Sequence, residues 1–133
     1  MASSSGQDAS YFLKSKYVTE LTPKEFEGIA TWKLKDRKCA VVLFYADWCP
    51  YCKEIRGEWE KLGQIAAFFE VYAFNCAKYI KHIQKIKEDM PELVKSYPTI
   101  IFYTDGEPVE TYRGERTHSN LLKACMNICQ RQK

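Results

Sequence analysis

The sequence predicts an α/β fold in which helices flank a central mixed β-sheet. Two apolar stretches of strand length, residues 39–46 and 69–74, are each followed by a segment whose apolar residues recur at helical spacing. Nearer the C-terminus, residues 99–103 and 109–112 are separated by the turn pair Asp105-Gly106, which is typical of a β-hairpin. Strand–helix alternation that ends in a hairpin and a helix predicts a mixed sheet covered by helices.

The segment before the first long strand predicts a short strand and a helix. Residues 17–21 predict the strand. Thr22, Pro23 and Glu25 then supply an N-cap, a proline at the first helical position and an acidic third position. They predict a helix that runs through residues 26–30 toward Trp32.

Three further helices are predicted after the first long strand. Ile55, Trp59 and Leu62 recur every three or four positions, so one long helix follows that strand. Residues 78–87 predict an amphipathic helix, and Pro91 opens a turn. Ser119 or Thr117 caps a last helix, whose apolar positions are Leu121, Leu122, Met126 and Ile128.

Length and charge limit the organisation and the partners. The chain has 133 residues, which predicts a disordered tail at residues 1–10 and a single domain at 11–133. The net charge is +3, no basic block favours nucleic acid, and no apolar run approaches a membrane span. We expect a monomer with neither nucleic-acid nor membrane partners. The start lacks a secretory signal pattern, which predicts a cytoplasmic protein; a truncated N-terminus would leave a secretory lumen open.

The chemistry is predicted at Cys49 and Cys52, which are separated by Pro50 and Tyr51. A strand precedes the pair and a helix follows it, so Cys49 falls where unpaired N–H groups and the helix dipole stabilise a thiolate. Proline fits the first helical position, because its missing N–H leaves no hydrogen bond unmade. A thiolate is the species that attacks a disulfide, and the pattern therefore predicts redox chemistry.

Residues 44–53, FYADWCPYCK, resemble the active-site segment of the thioredoxin superfamily, and most closely the F-Y-A-x-W-C-x-x-C-K motif of protein disulfide isomerase domains. The similarity continues at Tyr97-Pro98-Thr99, which matches the family's Y-P-T, and at residues 112–116, which match Y-x-G-x-R. This resemblance implies a thioredoxin fold and a thiol–disulfide oxidoreductase that acts on protein disulfides or dithiols. It implies no metal, flavin or nucleotide cofactor, since the cysteine pair holds the electrons.

The resemblance also implies a role for each cysteine and for the residues beside the pair. Cys49, expected to be exposed at the helix start, attacks the substrate to form a mixed disulfide, and Cys52 resolves it. Pro98 follows Tyr97 in a cis peptide bond in this family, and the neighbouring backbone groups can pair with an extended substrate.

Two more assignments concern the surface around the pair. Trp48, Pro50 and Tyr51 are expected to contact substrate, although Trp48 could also serve only to pack the loop. Arg116 is expected to approach Cys52 and favour its thiolate, the alternative being a solvated surface arginine.

Two positions depart from the family pattern. Leu43 stands where the family usually has a buried acid that relays a proton for the second cysteine, and a leucine cannot do this. Asp47 and Glu54 are nearby in sequence, but we expect both to be solvated. We therefore expect weaker reductase turnover than in a typical thioredoxin. The dipeptide Pro50-Tyr51 is typical of glutaredoxins, so we expect a reduction potential of about −180 to −240 mV and glutathione as a candidate redox partner.

The other four cysteines are expected to pack and not to react. Cys39 begins a strand, Cys76 ends one, and Cys125 and Cys129 share a helix face. A zinc site formed by the last two with the active pair would need the last helix to approach the motif, and is not expected. The two histidines, His82 and His118, are interpreted as solvated or capping residues.

The sequence leaves other functions open. The chain could be a glutathione-coupled, glutaredoxin-like reductase. It could be a binding or chaperone-like domain with little turnover, which Leu43 and the aromatic residues favour. A dimer that binds a cluster through shared Cys49 thiolates is disfavoured by the bulk of Trp48 and Pro50.

Overall fold

The computed structural model describes residues 8–28 and 31–130, and within them it contains a five-stranded mixed sheet and three α-helices. The predicted α/β fold is confirmed. The strands are β1 (Thr19–Glu20), β2 (Ala40–Tyr45), β3 (Glu70–Asn75), β4 (Thr99–Thr104) and β5 (Glu107–Thr111). The helices are α1 (Pro50–Ile65), α2 (Ile80–Ile86) and α3 (His118–Gln130).

The sheet places β2 at its centre, in the order β1-β3-β2-β4-β5. Strands β1, β3 and β2 run parallel, while β4 is antiparallel to β2 and β5 is antiparallel to β4. Every residue of β2 is buried, as its continuous apolar run predicts. Because Phe44 pairs with Thr99, the end of β2 lies beside the start of β4. The loop that follows β2 therefore lies close to Pro98.

Successive residues of β2 pack into two apolar layers, one on each face of the sheet. Val41, Leu43 and Tyr45 belong to the layer covered by α1 and α3. The alternate residues Val42 and Phe44 belong to the second layer, which contains Trp32 and residues of α2. Both cysteines of the active pair belong to the first layer. The period-two pattern of a strand thus decides which β2 side chains lie beneath the active site.

The prediction of a helix after residue 22 is wrong. The capping box of Thr22 and Glu25 is present, but it closes only a 3-10 turn, Pro23–Glu25. Phe26 then forms an isolated antiparallel bridge with Leu34, and both side chains are buried. The chain turns back because these two side chains pack on the sheet, and Gly28, at φ 75°, supplies a left-handed conformation in that turn. Residues 29 and 30 of the predicted helix lie outside the described residues.

Both ends of the domain bear on the sequence predictions. Thr117 caps α3, since its Oγ1 accepts a hydrogen bond from the Asn120 N–H at 3.3 Å. Residues 1–7 of the predicted tail lie outside the described residues, whereas Asp8 pairs with Lys78 and Ser10 Oγ accepts from the Asn75 amide at 3.1 Å. The domain boundary stays a prediction. None of the helices in the described ranges is both long and apolar enough to span a membrane.

Candidate active site

The predicted redox pair lies where β2 passes into α1. Cys49 is the N-cap of α1, and Pro50 is its first residue. The loop is closed by a hydrogen bond from the Cys49 N–H to the Ala46 carbonyl at 3.0 Å, and the Cys52 N–H reaches the Cys49 carbonyl at 3.1 Å. Cys49 therefore lies at the positive end of a 16-residue helix. Both cysteines are free thiols in the structure.

The Cys49 side chain is less exposed than the sequence suggests. A nucleophile exposed at the helix start was expected, but only 6% of Cys49 is accessible. Its Sγ lies 3.5 Å from the carbonyl oxygen of Tyr97, and the Tyr97–Pro98 peptide bond is cis, as the resemblance implies. The tyrosine ring in turn makes an edge contact with Trp48, at 6.2 Å between centroids. The thiol thus lies against the chain that precedes β4, and its remaining accessible surface is small.

Cys52 is fully buried beneath the first cysteine. Burial is the largest effect on its thiol and raises its pKa to about 12. The backbone at Ala46 lowers this pKa, the adjacent Cys49 thiol raises it, and the positive charge of Arg116 lowers it least of all. Arg116 is exposed, yet it lies within electrostatic reach of Cys52. Arg116 is thus a surface residue with a small effect on the pKa of Cys52, and its role at the site stays a prediction.

The aromatic residues around the pair form an open rim. Trp48 is 64% exposed and Tyr51 is 61% exposed, and Pro50 between the cysteines is also exposed. Tyr97 is half-buried and Pro98 is buried. Large exposed aromatic side chains beside a nearly covered thiol can contact a polypeptide on either side of the reacting sulfur. The predicted substrate residues are therefore brought together, and their roles stay a prediction.

A hydrogen-bonded network behind the loop was missed by sequence reasoning. Asp47, expected to be solvated, accepts a hydrogen bond from the Asn75 amide at 3.0 Å, and its carbonyl oxygen accepts from the Tyr11 hydroxyl at 3.1 Å. The hydroxyl of Tyr45 donates to the Glu20 carboxylate at 2.5 Å. Burial raises the pKa of this carboxyl above its ordinary value. Two features of the sequence could have indicated this network: the polar Asn75 that ends an apolar strand, and Tyr45 shortly before the cysteines.

The packing role predicted for Cys39 and Cys129 is wrong, because these residues form a disulfide. They are separated by 90 residues in sequence, but the chain just before β2 lies beside the end of α3. Cys76 and Cys125 are free and buried, in agreement with the prediction. With Cys129 bonded to Cys39, four thiolates cannot converge at the active pair. No group of three potential metal ligands occurs among residues 8–28 and 31–130.

The two histidines occupy different environments. The ring Nδ1 of His118 lies 2.9 Å from a carboxylate oxygen of Glu58, which also accepts the His118 backbone N–H at 2.7 Å. His82 is not solvated as expected, because its ring packs between Phe26 and Phe74 and its Nε2 is buried. Burial lowers the pKa of His82 below its ordinary value, so this residue stays neutral near pH 7.

Comparison with known proteins places these features in a family. The family model described as thioredoxin matches residues 17–127. Over 109 residues, 80% of this chain, the sequence is 34% identical to a protein disulfide-isomerase of Humicola insolens, of which it covers 20%. It is 30% identical over 113 residues, 82% of this chain, to protein disulfide-isomerase 5-1 of Arabidopsis thaliana, of which it covers 70%.

A solved structure supports the same fold. The J-Trx1 fragment of ERdj5 superposes with a TM-score of 0.71 at 19% identity, over 90% of this chain and 55% of that one. The chain spans only part of the curated relatives it matches, between 16% and 28% of three of them. The family match, the mixed sheet and the Cys49–Cys52 pair at the start of α1 agree, and the chain belongs to the thioredoxin family.

Proposed function

We propose that this chain is a thiol–disulfide oxidoreductase domain that acts on the disulfides or dithiols of protein substrates. The observation that carries the proposal is the free Cys49–Cys52 pair at the start of α1, with Cys49 Sγ 3.5 Å from the Tyr97 carbonyl. The relatives named protein disulfide-isomerases support it. A helix N-terminus favours the thiolate form of a cysteine, which is the attacking species.

The reaction transfers two electrons in two exchange steps. The Cys49 thiolate attacks one sulfur of a substrate disulfide and forms a mixed disulfide, and the other substrate sulfur leaves as a thiolate that takes a proton. Cys52 then loses its proton and attacks the Cys49 sulfur. The second substrate thiolate is released, and a Cys49–Cys52 disulfide remains. The reverse sequence oxidises a substrate dithiol. No cofactor is needed, because both electrons come from the cysteine pair.

Loss of the Cys52 proton is the demanding step in this scheme. Burial raises the pKa of the thiol to about 12, and the Leu43 side chain in the same apolar layer cannot take the proton. The positive charge of Arg116 lowers the pKa of Cys52 and so favours the thiolate. We infer that resolution of the mixed disulfide, and not its formation, limits turnover.

Partners and compartment follow from the same chemistry. We propose polypeptides as the substrates, with glutathione as the small redox partner that the Pro50-Tyr51 dipeptide favours. The Cys39–Cys129 disulfide supports an oxidising compartment over the cytoplasm, since such bonds persist where thiols are kept oxidised. We also propose that the domain is a monomer and is not attached to a membrane.

A binding domain with little turnover is the second candidate. The exposed Trp48 and Tyr51, together with the buried Cys52 thiol, favour it. Such a domain would hold unfolded polypeptides equally well with Cys49 replaced by serine.

Trapping of the mixed disulfide tests the oxidoreductase proposal. The reduced Cys52→Ser variant should accumulate a mixed disulfide with an oxidised model protein that contains a disulfide. Mass spectrometry should locate the bond on Cys49. Cys49→Ser should trap nothing and should lose disulfide exchange. A Cys49→Ser variant that exchanges disulfides as fast as the parent would overturn the proposal, and retained client binding without exchange in the parent would favour the second candidate.

A further inference from the structure

A groove of about 420 Å³ lies between the segment that precedes β1 and the exposed face of α1. We call it the α1 groove. Its charged side chains are Lys14, Lys53, Arg56 and Glu60, and the rings of Tyr11 and Phe12 form its apolar wall. The groove is separate from the aromatic rim formed by Trp48 and Tyr51.

The charge of the α1 groove is positive. Lys14, Lys53 and Arg56 are exposed, and within the described part of the chain none of them forms a salt bridge. Glu60 is the single carboxylate of the lining, and it accepts a hydrogen bond from Ser15 Oγ at 2.9 Å. Three positive charges against one negative charge leave the groove with an excess of two.

Arg56 is held in place by uncharged partners. Its Nη2 donates to the Tyr11 carbonyl oxygen at 3.1 Å, and its guanidinium carbon lies 4.9 Å from the centroid of the Tyr11 ring. A guanidinium has five N–H donors, so most of them stay available to a ligand. The arginine is thus fixed in orientation while its charge is not neutralised, which suits recognition of a carboxylate.

The groove begins one helical turn from the nucleophile and leads away from it. At 1.5 Å rise per residue, Glu60 lies about 16 Å along α1 from Cys49, which is the length of about five residues of extended chain. The near end is joined to the active-site loop, because the Tyr11 hydroxyl donates to the Asp47 carbonyl at 3.1 Å. A polypeptide bonded to Cys49 would therefore need about five extended residues to span the distance to the far end of the groove.

We propose that the α1 groove binds an acidic segment of the polypeptide substrate, adjacent in sequence to the cysteine that reacts with Cys49. That the bound polypeptide is a substrate rests on the proposed function, but the charge preference of the groove does not. Carboxylate side chains meet the uncompensated charges of Lys14, Lys53 and Arg56, while a basic segment is repelled. The groove thus selects among disulfides by the charge of the chain beside them.

Two pairs of variants isolate the groove from the catalytic pair. Lys14→Glu reverses a charge in the lining, and Lys16→Glu makes the same change at an exposed lysine outside it. Gly57→Gln places a longer side chain in the groove. A Cβ at Gly57 meets nothing within 4 Å, so a side chain can begin there without moving the helix backbone. Gly57→Ala is its control, because it also raises the helix propensity but adds little bulk.

The test uses the full chain and two fluorescent, cysteine-free peptides, one rich in glutamate and one with glutamine in the same positions. Fluorescence anisotropy should show tighter binding of the acidic peptide, and added salt should reduce the difference. We expect Lys14→Glu to weaken acidic-peptide binding roughly threefold to tenfold. Gly57→Gln should weaken it too, while Lys16→Glu and Gly57→Ala should bind as the parent does.

Equal binding of the two peptides would overturn the inference. Equal losses in Lys14→Glu and Lys16→Glu would overturn it as well, since net charge alone would then explain the binding. The outcomes for the two proposals are separable. Disulfide exchange without charge-selective binding contradicts only the groove, whereas charge-selective binding without exchange contradicts only the oxidoreductase function.

Discussion

At the residue scale, the environment of Cys52 differs strongly from that of a free thiol in water. It is fully buried, and its pKa is raised from 9.0 to about 12, chiefly by burial. A raised pKa means that the folded state holds the proton more tightly than the unfolded state does. The contribution of the Cys52 thiol to the free energy of unfolding is complete below pH 9, where the thiol is protonated in both the folded and the unfolded state. This contribution is lost as the pH rises toward about 12.

The first prediction concerns this pH window. The melting temperature of the reduced chain should fall more steeply between pH 9 and about 12 than that of Cys52→Ala, which has no thiol at this position. Calorimetry of both proteins under reducing conditions measures the difference. The oxidised parent is a second control, because its Cys52 sulfur does not titrate. Parallel curves for all three would mean that the Cys52 thiol is not held protonated by the fold.

The second prediction concerns Leu43, which is fully buried in the same layer as Cys52. Leu43→Glu should speed the release of substrate from the mixed disulfide, because a carboxylate can take the Cys52 proton. The same change should lower the free energy of unfolding by about 2–4 kcal/mol, because it buries a polar group. Leu43→Gln is the control for size and polarity. Equal release rates in Leu43→Glu and the parent would show that a missing base does not limit turnover.

The residue-scale predictions from sequence were strongest at the motif. Cys49, Cys52, Trp48 and Tyr51 could be located because a strand, a proline and a helix surround them in a short segment. The bonds from Tyr11 and Asn75 to Asp47 could not, because they join parts of the chain that only the fold brings together. The accessibility of Cys49 was missed for the same reason, since the Tyr97 carbonyl that contacts it comes 48 residues later.

At the element scale, α1 contains two glycines in opposite surroundings. A Cβ at Gly57 would meet nothing within 4 Å, whereas a Cβ at Gly63 would lie 2.6 Å from the Tyr17 carbonyl oxygen. Gly57→Ala should therefore raise the free energy of unfolding by about 0.5–1 kcal/mol, because alanine loses less backbone entropy in a helix. Gly63→Ala should lower it, since backbone atoms must move. Urea titration measures both, and a loss at Gly57 or a gain at Gly63 would contradict the packing described here.

The elements also mark a limit of sequence reasoning. The capping box at Thr22 correctly predicted where a helical turn begins, but a capping box is the same signal for one turn as for several. The burial of Phe26 and Leu34 against the sheet decides that the chain turns back. The strands β2 and β4 were predictable because long apolar runs have few other stable arrangements.

At the scale of the whole molecule, the Cys39–Cys129 disulfide joins the beginning of β2 to the end of α3. The sequence could not pair these residues, because four cysteines besides the active pair allow several connectivities. Cys39→Ala/Cys129→Ala should lower the free energy of unfolding by about 2–4 kcal/mol, because the crosslink restricts the unfolded chain over 90 residues. Urea titration with the active pair oxidised measures it. Free thiols at both positions in the purified protein, seen by mass spectrometry, would contradict the assignment.

The central claim is that Cys49 and Cys52 form a reversible two-electron couple, and equilibration with glutathione buffers tests it most directly. Alkylation of free thiols followed by mass spectrometry gives the oxidised fraction of this pair at each potential. We expect one transition at about −180 to −240 mV that involves both sulfurs together. A transition near the −270 mV typical of thioredoxin would contradict the interpretation of Pro50-Tyr51, and no Cys49–Cys52 disulfide at any potential would contradict the central claim itself.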